Sequence, residues 1–319
     1  MTRVLARLVV LLVLFSGASP ILSFISIFAN LLPLLDGLLL AVSVLIAIYS
    51  SIKRKMGTDV LIMLLVTIFV YSCRNAEINL RPTDDKEITL LSLNVAQFNN
   101  DTANVSEVIQ LINKEVPDVV LLQEFGLYYK WPDISTVSRD FAQRIGFEYY
   151  HFQPHDGNIF GTAIFSKRPI LGSTLVFNEI SQTNEAWSHL IKLKEDTVQL
   201  INAHVESFNL KGPGTKLGLK DVLKRQENQA TIIQSAISDK YKSMICVDLN
   251  AAVGSKIYNQ FRKSHIDVSK TQGLGWVNTL KWPPIRIDHV FADQNIQCTE
   301  LELLENTPSD HRGIIASFR

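Results

Sequence analysis

The sequence predicts an α/β domain joined to an N-terminal membrane-spanning helical region, and three observations carry that prediction. From Leu8 to Ser50 the only ionised side chain is Asp36. After Lys86, short β-branched runs alternate with helical patterns, the mark of an α/β domain. Those runs end again and again in acids, amides and histidines, and strand ends are where α/β folds gather functional groups.

Composition removes other classes first. The 319 residues are 47% hydrophobic and carry Lys+Arg 31 against Asp+Glu 31, which excludes a disordered chain. Three cysteines cannot staple a chain of this length, which excludes a disulfide scaffold. Cys73, Cys246 and Cys298 are expected as unpaired thiols, with a Cys246–Cys298 bridge as the alternative. The mean hydropathy of +0.14 is high for a soluble enzyme, and the excess lies at the N-terminus.

A continuous helix over residues 8–50 would reach roughly 60 Å, about twice the hydrocarbon core of a bilayer, so the segment must fold back on itself. Asn30, Pro33, Asp36 and Gly37 mark the turn. A third, shorter apolar stretch from Val60 to Tyr71 follows the basic run Lys53, Arg54, Lys55. Arg3 and Arg7 precede the first span and the basic run follows the second, so both ends of the hairpin read as cytoplasmic. The expectation is a multi-pass integral membrane protein with its large domain on the non-cytoplasmic side, periplasmic or extracellular. Residues 1–77 form the anchor of about three transmembrane helices, 78–86 a polar linker and 87–319 the folded domain. An alternative makes residues 1–19 a cleaved signal peptide, from Arg3, Arg7, the apolar run and Ser16, Gly17, Ala18. Hydrophobicity resumes at once after Pro20, which speaks against it, and the domain lies outside either way. Six of the 31 bases and three of the 31 acids fall in residues 1–77, leaving the remainder 25 against 28. That part is mildly acidic and not a general polyanion binder.

Within residues 87–319, Ile88 to Val95 reads as a strand. Val105, Val108, Ile109 and Ile112 give a helical face after the capping residues Asp101 and Thr102, ended by Pro117. Asp118 to Gln123 reads as a buried strand and Ser138 to Ile145 as a helix. Gly161 to Ser166, Ser188 to Leu193 and Val198 to His204 read as strands. Lys220 to Ser238 is a long helix with Val222, Ile232, Ile233 and Ile237 among its apolar positions, and strands at 243–248, 286–292 and 314–318 complete the order.

The ends of these strands hold the chemistry. Leu90 to Leu93 runs into Asn94, Val119 to Leu122 into Gln123 and Glu124, and Leu200 to Ala203 into His204. Met244 to Val247 runs into Asp248 and Asn250, Arg286 and Ile287 precede Asp288, and Ser309 precedes Asp310 and His311. Singly, each has an ordinary reading as turn residue, solvated charge, helix cap or surface histidine. Six in succession resemble the endonuclease/exonuclease/phosphatase superfamily, the DNase I-like proteins. The matching words are Ser92-Leu93-Asn94-Val95, Gln123-Glu124, Gly161-Thr162-Ala163-Ile164-Phe165-Ser166, Asn202-Ala203-His204, Asp248-Leu249-Asn250, Arg286-Ile287-Asp288-His289-Val290 and Ser309-Asp310-His311-Arg312. They stand in the family's order and cover essentially all of residues 87–319.

The resemblance implies a four-layer α/β sandwich, two sheets face to face with helices outside. It implies that Glu124 is the principal metal ligand, with Asn94 beside it and Asp310 completing the metal site. Asp248 and Asn250 would align or activate the attacking water. His311, oriented by Asp288, and His204 would contact the scissile phosphate. The family commonly has Gly before the Asp of the Asp-X-Asn word, where this chain has Val247, and His204 shows no carboxylate partner in the sequence. Carboxylate and amide oxygens without a cysteine or multi-histidine cluster suit a hard ion, Mg²⁺ or Mn²⁺, over zinc. The expected activity is metal-dependent phosphoester hydrolysis, as a phosphodiesterase that is nuclease-like or directed at phospholipid headgroups. The competing reading is a membrane-tethered phosphate- or nucleic-acid-binding protein without catalysis, since one fold hosts many functions.

Expected partners are the lipid bilayer and a phosphoester substrate, either nucleic acid or a phospholipid of phosphoinositide type; no protein partner is inferable. Lys211-Gly212-Pro213-Gly214 with Lys216, Lys220, Lys224 and Arg225 reads either as a phosphate-binding basic loop or as a solvated helix face. Trp276 and Trp282, between Gly273 and Pro284, read as a base-stacking pair, as membrane-interface residues or as packed core.

Overall fold

The computed structural model describes residues 2–17, 32–53, 57–78, 86–126, 134–153, 160–178, 184–208 and 218–319. Of the features read from sequence, Asn30, Arg54, Lys55, most of the linker and the Lys211–Lys216 loop lie outside these residues.

Among the described residues, the chain opens with the helices α1 (Thr2–Gly17), α2 (Asp36–Ile52) and α3 (Thr58–Asn75). Two segments, Pro33–Ile52 and Thr58–Asn75, are long and apolar enough to cross a membrane, with hydropathies of 2.0 and 1.4, whereas the apolar part of α1, Leu5–Leu14, is shorter. Their seam joins Val9, Val13, Leu39, Ile46 and Met63. Two hydroxyls are buried inside it: Ser43 and Thr67 lie 3.0 Å apart and donate to the Leu39 and Met63 carbonyls of their own helices, which satisfies both polar groups without water. Outward, the same helices expose Leu8, Leu11, Leu45, Ile48, Leu65 and Phe69.

The rest is the four-layer sandwich expected. One six-stranded sheet runs β13 (Cys298–Leu304), β14 (Gly313–Phe318), β2 (Ile88–Asn94), β3 (Val119–Gly126), β5 (Phe160–Ser166), β4 (Tyr149–Phe152). The other runs β10 (His265–Asp267), β12 (Asp288–Asp293), β9 (Ser243–Asp248), β8 (Thr197–His204), β7 (Glu185–Lys192), β6 (Ile170–Asn178). Leu90, Val119, Leu121 and Ile164 of the first meet Val198, Leu200, Met244 and Val290 of the second, and burial of such side chains is the main favourable contribution to folding. Outside the first sheet lie α4 (Thr102–Glu115) and α5 (Ile134–Arg144); outside the second lie α6 (Leu219–Ser235) and α7 (Lys256–Phe261). Asp101 caps α4 as its sequence position suggested, accepting from the Ala103 amide at 2.9 Å. The cysteines are free thiols.

One joint departs from expectation. Where a polar linker was predicted to begin, α3 runs straight into β1 (Ala76–Ile78), which pairs antiparallel with β11 (Leu274–Trp276) beyond the short helix α8 (Ser269–Gln272). Glu77 is buried there against Lys270 (2.6 Å) and Arg286 (3.3 Å). A neighbouring ion pair, Arg74–Asp36 at 2.5 Å, is also buried. Charges removed from water persist only when paired, and the Glu77 cluster is the partner that the fully buried Arg286 requires.

Candidate active site

The topology brings the polar strand ends to one edge. β2 and β3 are parallel, as are β8 and β9, so the C-terminal ends of all four point the same way. β12 and β14 run antiparallel to their neighbours and start at that edge. Register then sets neighbours: His204 lies opposite Asp248, and Asp248 opposite Asp288. Just beneath, Gln123 donates through Nε2 to Asn202 Oδ1 at 2.8 Å, and Asn202 donates in turn to the Leu122 and Ala163 carbonyls. These buried amides join the two sheets directly under Glu124 and His204, a buried polar link of the kind that favours one packing, although Gln123 Oε1 has no partner among the described residues.

Glu124 reaches the site through a distorted backbone. β3 carries a register shift between Leu122 and Phe125, and Glu124 has φ 51°. Bulges and left-handed non-glycine residues re-aim side chains at functional sites, at a cost of order 1–3 kcal/mol each. Asn250 is likewise left-handed at φ 49°; its backbone N–H donates to Asp248 Oδ1 at 3.0 Å and its side-chain nitrogen to the Val205 carbonyl at 3.0 Å. Val247, in place of the family's glycine, is fully buried in a regular strand, so the substitution is absorbed without a change of turn.

Asn94 Nδ2 donates to Asp248 Oδ2 at 2.8 Å and to Glu124 Oε1 at 3.3 Å. His204 Nε2 lies 3.6 Å from Glu124 Oε1 and 3.7 Å from Asp248 Oδ2. His311 Nδ1 lies 2.8 Å from Asp288 Oδ2. Donor atoms of Asp248, Asp288 and His311 fall within 4.8 Å of one another. Asp310 stands apart: largely exposed, it accepts from Ser309 Oγ at 3.3 Å and lies 3.9 Å from His311 Nε2. Seven of the eight predicted residues thus converge around Asp248, with Asp310 at the mouth.

Electrostatics follow from burial and proximity. Burial and the neighbouring Asp288 push the Asp248 carboxyl up to about 6, against His311, His204 and the Asn94 amide. Burial disfavours the charged His311 ring, yet Asp288, Asp248 and Asp310 outweigh it and lift the imidazolium to about 10. These carboxylates therefore favour the charged form of the His311 ring. A divalent ion fits these residues. The donors are oxygens of Glu124, Asp248, Asp288, Asp310 and Asn94 with no thiolate among them, and buried Asp288 Oδ1 has no hydrogen-bond partner among the described residues. Among the described His, Cys, Asp and Glu side chains, the donor atoms of Asp248, Asp288 and His311 also lie close enough together to hold an ion.

Two residues of the site were not read from the sequence. Gln97 sits in a left-handed turn over Ala96–Asn100 and donates to Glu124 Oε2 at 3.1 Å. Glu185 lies opposite His204 in the β7–β8 register. Its carboxylate accepts from the Thr162 amide and from Thr162 Oγ1 (3.1 Å), and fills the space that a side chain at Gly161 would occupy. Burial pushes it up to about 7, against those hydrogen bonds and the charge of His204. This is the carboxylate beside His204 that the sequence hid: no spacing rule links 185 to 204, only strand pairing.

The sequence profile of the "Endonuclease/Exonuclease/phosphatase family" matches residues 91–311. Among proteins of curated function, none matches the chain. Among solved structures, an endonuclease/exonuclease/phosphatase from Beutenbergia cavernae is similar at 18% identity, covering 74% of this chain and 72% of that one, with a TM-score of 0.57. TDP2 from D. rerio, solved with a single-strand DNA product, aligns at 16% identity over 74% and 100% of the two chains, TM-score 0.56. A mannosyl-6-phosphatase from Bacteroides thetaiotaomicron aligns at 14% over 73% and 99%, TM-score 0.52. At these identities the likeness is one of fold.

Proposed function

Since the chain belongs to the endonuclease/exonuclease/phosphatase family and is a phosphoester hydrolase, we propose that it is a divalent-metal-dependent one, anchored in a membrane with its catalytic domain on the non-cytoplasmic side. The single observation that carries the catalytic part is the convergence of Asn94, Glu124, His204, Asp248, Asp288 and His311 on one edge of the sandwich.

Glu124, Asn94 and Asp310 are the proposed holders of Mg²⁺ or Mn²⁺, with Asp248 and Asp288 close enough to share it. Such an ion, when bound, polarises a phosphoryl oxygen and offsets charge on the leaving group. The protein's own groups supply the rest. Asp248, fixed by the Asn94 amide and the Asn250 backbone N–H, is placed to take a proton from the attacking water, aligned with help from the Asn250 side-chain oxygen. His311, held charged by Asp288, and His204 point hydrogen-bond donors at the phosphoryl oxygens. These donors are pre-set in a buried site, where they stabilise developing charge most.

Residues 1–77 serve as the anchor and 87–319 as the hydrolase domain. The exposed leucines, isoleucines and Phe69 around α1–α3, with hydroxyls turned inward, suit a lipid surroundings better than water. Arg7, exposed although it lies 3.4 Å from Asp59, and Lys53 stand at the helix ends away from the domain, while Arg74 at the domain end is buried against Asp36, which favours the cytoplasm for the former.

The test is hydrolysis of bis(p-nitrophenyl) phosphate and p-nitrophenyl phosphate by the full chain in detergent, with Mg²⁺, Mn²⁺ or chelator, alongside His311→Ala. Activity that survives chelation, or that His311→Ala leaves intact, removes the catalytic proposal. Protease protection of the domain in cytoplasmic-side-out vesicles tests the topology, and digestion of the domain there would reverse it.

A further inference from the structure

The loop that receives the N-terminal helices is the loop that holds the catalytic pair, and from this we infer that the substrate is a phosphoester carried on a lipid of the bilayer in which those helices sit. The inference rests on the membrane reading above and gives its active site a substrate class.

The connection is short and buried. Tyr71, in the last turn of α3, donates to the Pro284 carbonyl at 2.6 Å and accepts from Asn278 Nδ2 at 2.6 Å. The next residue, Thr279, accepts through Oγ1 from the Ile287 and Asp288 amides, at 3.1 and 2.9 Å. Asp288 is the partner of His311. The adjoining Leu280 bridges to His311, and the Lys281 amide donates to the Asp310 carbonyl at 2.9 Å. At the other helix, Gly37 of α2 lies so close to Pro284 that an added Cβ would stand 3.2 Å from its carbonyl oxygen. With β1 paired to β11 and the Asp36–Arg74 and Glu77–Arg286 ion pairs, the domain is fixed on the helix ends and not held on a tether. Its site is thereby held at a set height and tilt above the helix bundle.

A fixed height and tilt confer nothing on a substrate that diffuses in from solution, but they decide whether a headgroup in the same leaflet can reach the site. The surface between the helices and the site has the matching chemistry. Leu274, Trp276 and Trp282 are 66%, 55% and 70% exposed, and the Trp276 ring packs edge-on against Tyr71 at the helix end. Exposed indoles at the end of an apolar helix belong to the headgroup layer. The exposed apolar band of α1–α3 therefore continues onto the domain, toward the mouth at Asp310. A nucleic acid is the less favoured substrate, because residues 78–319 carry 25 bases against 28 acids and polyanion binding draws its affinity from clustered cations.

The experiment uses the full chain reconstituted into phosphatidylcholine vesicles with Mg²⁺. Vesicles doped with sphingomyelin, phosphatidylglycerol or a phosphatidylinositol phosphate are compared with single-stranded DNA and with bis(p-nitrophenyl) phosphate at equal phosphate concentration. Hydrolysis of at least one lipid faster than DNA is expected. Trp282→Ala is expected to slow lipid hydrolysis several-fold while leaving the soluble diester unaffected. Bromine-labelled phosphatidylcholine should quench tryptophan fluorescence, and Trp276→Phe/Trp282→Phe should lose that quenching. Faster cleavage of DNA, cleavage of the soluble diester with every lipid intact, or absence of quenching overturns the lipid inference and leaves the hydrolase reading standing. Failure to hydrolyse any phosphoester removes the hydrolase reading itself, and the lipid inference with it.

Discussion

Glu185 is a carboxylate buried beside His204, and replacing it by glutamine is expected to stabilise the protein in alkali but not in acid. Its folded pKa of about 7 stands above the ordinary 4.5, so between those values the folded chain holds a proton that the unfolded chain has lost. Stability therefore falls as pH rises through that window, and the full penalty applies above it. The difference corresponds to about 3 kcal/mol. Glutamine keeps an oxygen for the Thr162 amide and hydroxyl, so those hydrogen bonds survive while the charge goes. For a domain of this size, a change of about 3 kcal/mol moves the melting temperature by roughly 6–12 °C. The assay is thermal unfolding of the full chain in detergent, followed by tryptophan fluorescence at pH 4.5 and pH 9, with chelator present so that metal binding does not shift either state. Equal shifts at the two pH values, or a lower melting temperature at pH 9, would refute the reasoning. Turnover is expected to fall in the same variant, because His204 loses the neighbouring charge, a common exchange of activity for stability at such sites.

Three further outcomes are expected. Glu124→Gln should raise the Mg²⁺ concentration needed for half-maximal hydrolysis more than it changes the melting temperature, and an unchanged metal requirement would remove Glu124 from the ligand set. Asp36→Asn removes the carboxylate 2.5 Å from Arg74, whose side chain is only 10% exposed, and should destabilise the folded chain; a denaturation midpoint within error of the parent would show that the pair is not buried in solution. Val116 closes α4 in the left-handed region at φ 51°, with its side chain 63% exposed. A β-branched residue is strained there, so Val116→Gly should stabilise by about 0.5–1 kcal/mol despite glycine's looser unfolded state, and a fall in melting temperature would count against it.

The central strands were legible in the sequence and the edge strands were not, for one reason. Leu90–Leu93, Val119–Leu122 and Met244–Val247 are buried on both faces, so they write continuous apolar runs. Within the two six-stranded sheets, the strands without a sequence signal, β4, β6, β10 and β13, are the four edges. Half solvated, Ile170–Asn178 mixes Gly172, Ser173 and Thr174 with its apolar residues and shows no alternation. The site words were legible because each adjoins a central strand: Asn94, Glu124, His204 and Asp248 lie at strand C-terminal ends, and Asp288 and His311 at or just before strand starts. Glu185 and Gln97 were hidden because one acts across a strand register and the other through a left-handed turn, neither of which a linear spacing encodes. The strand at Ala76–Ile78 left no signal in the sequence because its partners, Trp276, Gly275 and Leu274, stand about 200 residues away.

The order of the first sheet also governs when the protein can begin to act. β14 is the last strand made, yet it is inserted between β13 and β2, and Asp310 and His311 immediately precede it. On the roles proposed above, a chain still emerging from the ribosome has Glu124, His204 and Asp248 but lacks His311, and its β2 edge stays unpaired. Activity during synthesis is then expected only once β14 has closed the sheet, and a chain cut short before residue 310 is expected to be silent however much of the sandwich it has formed.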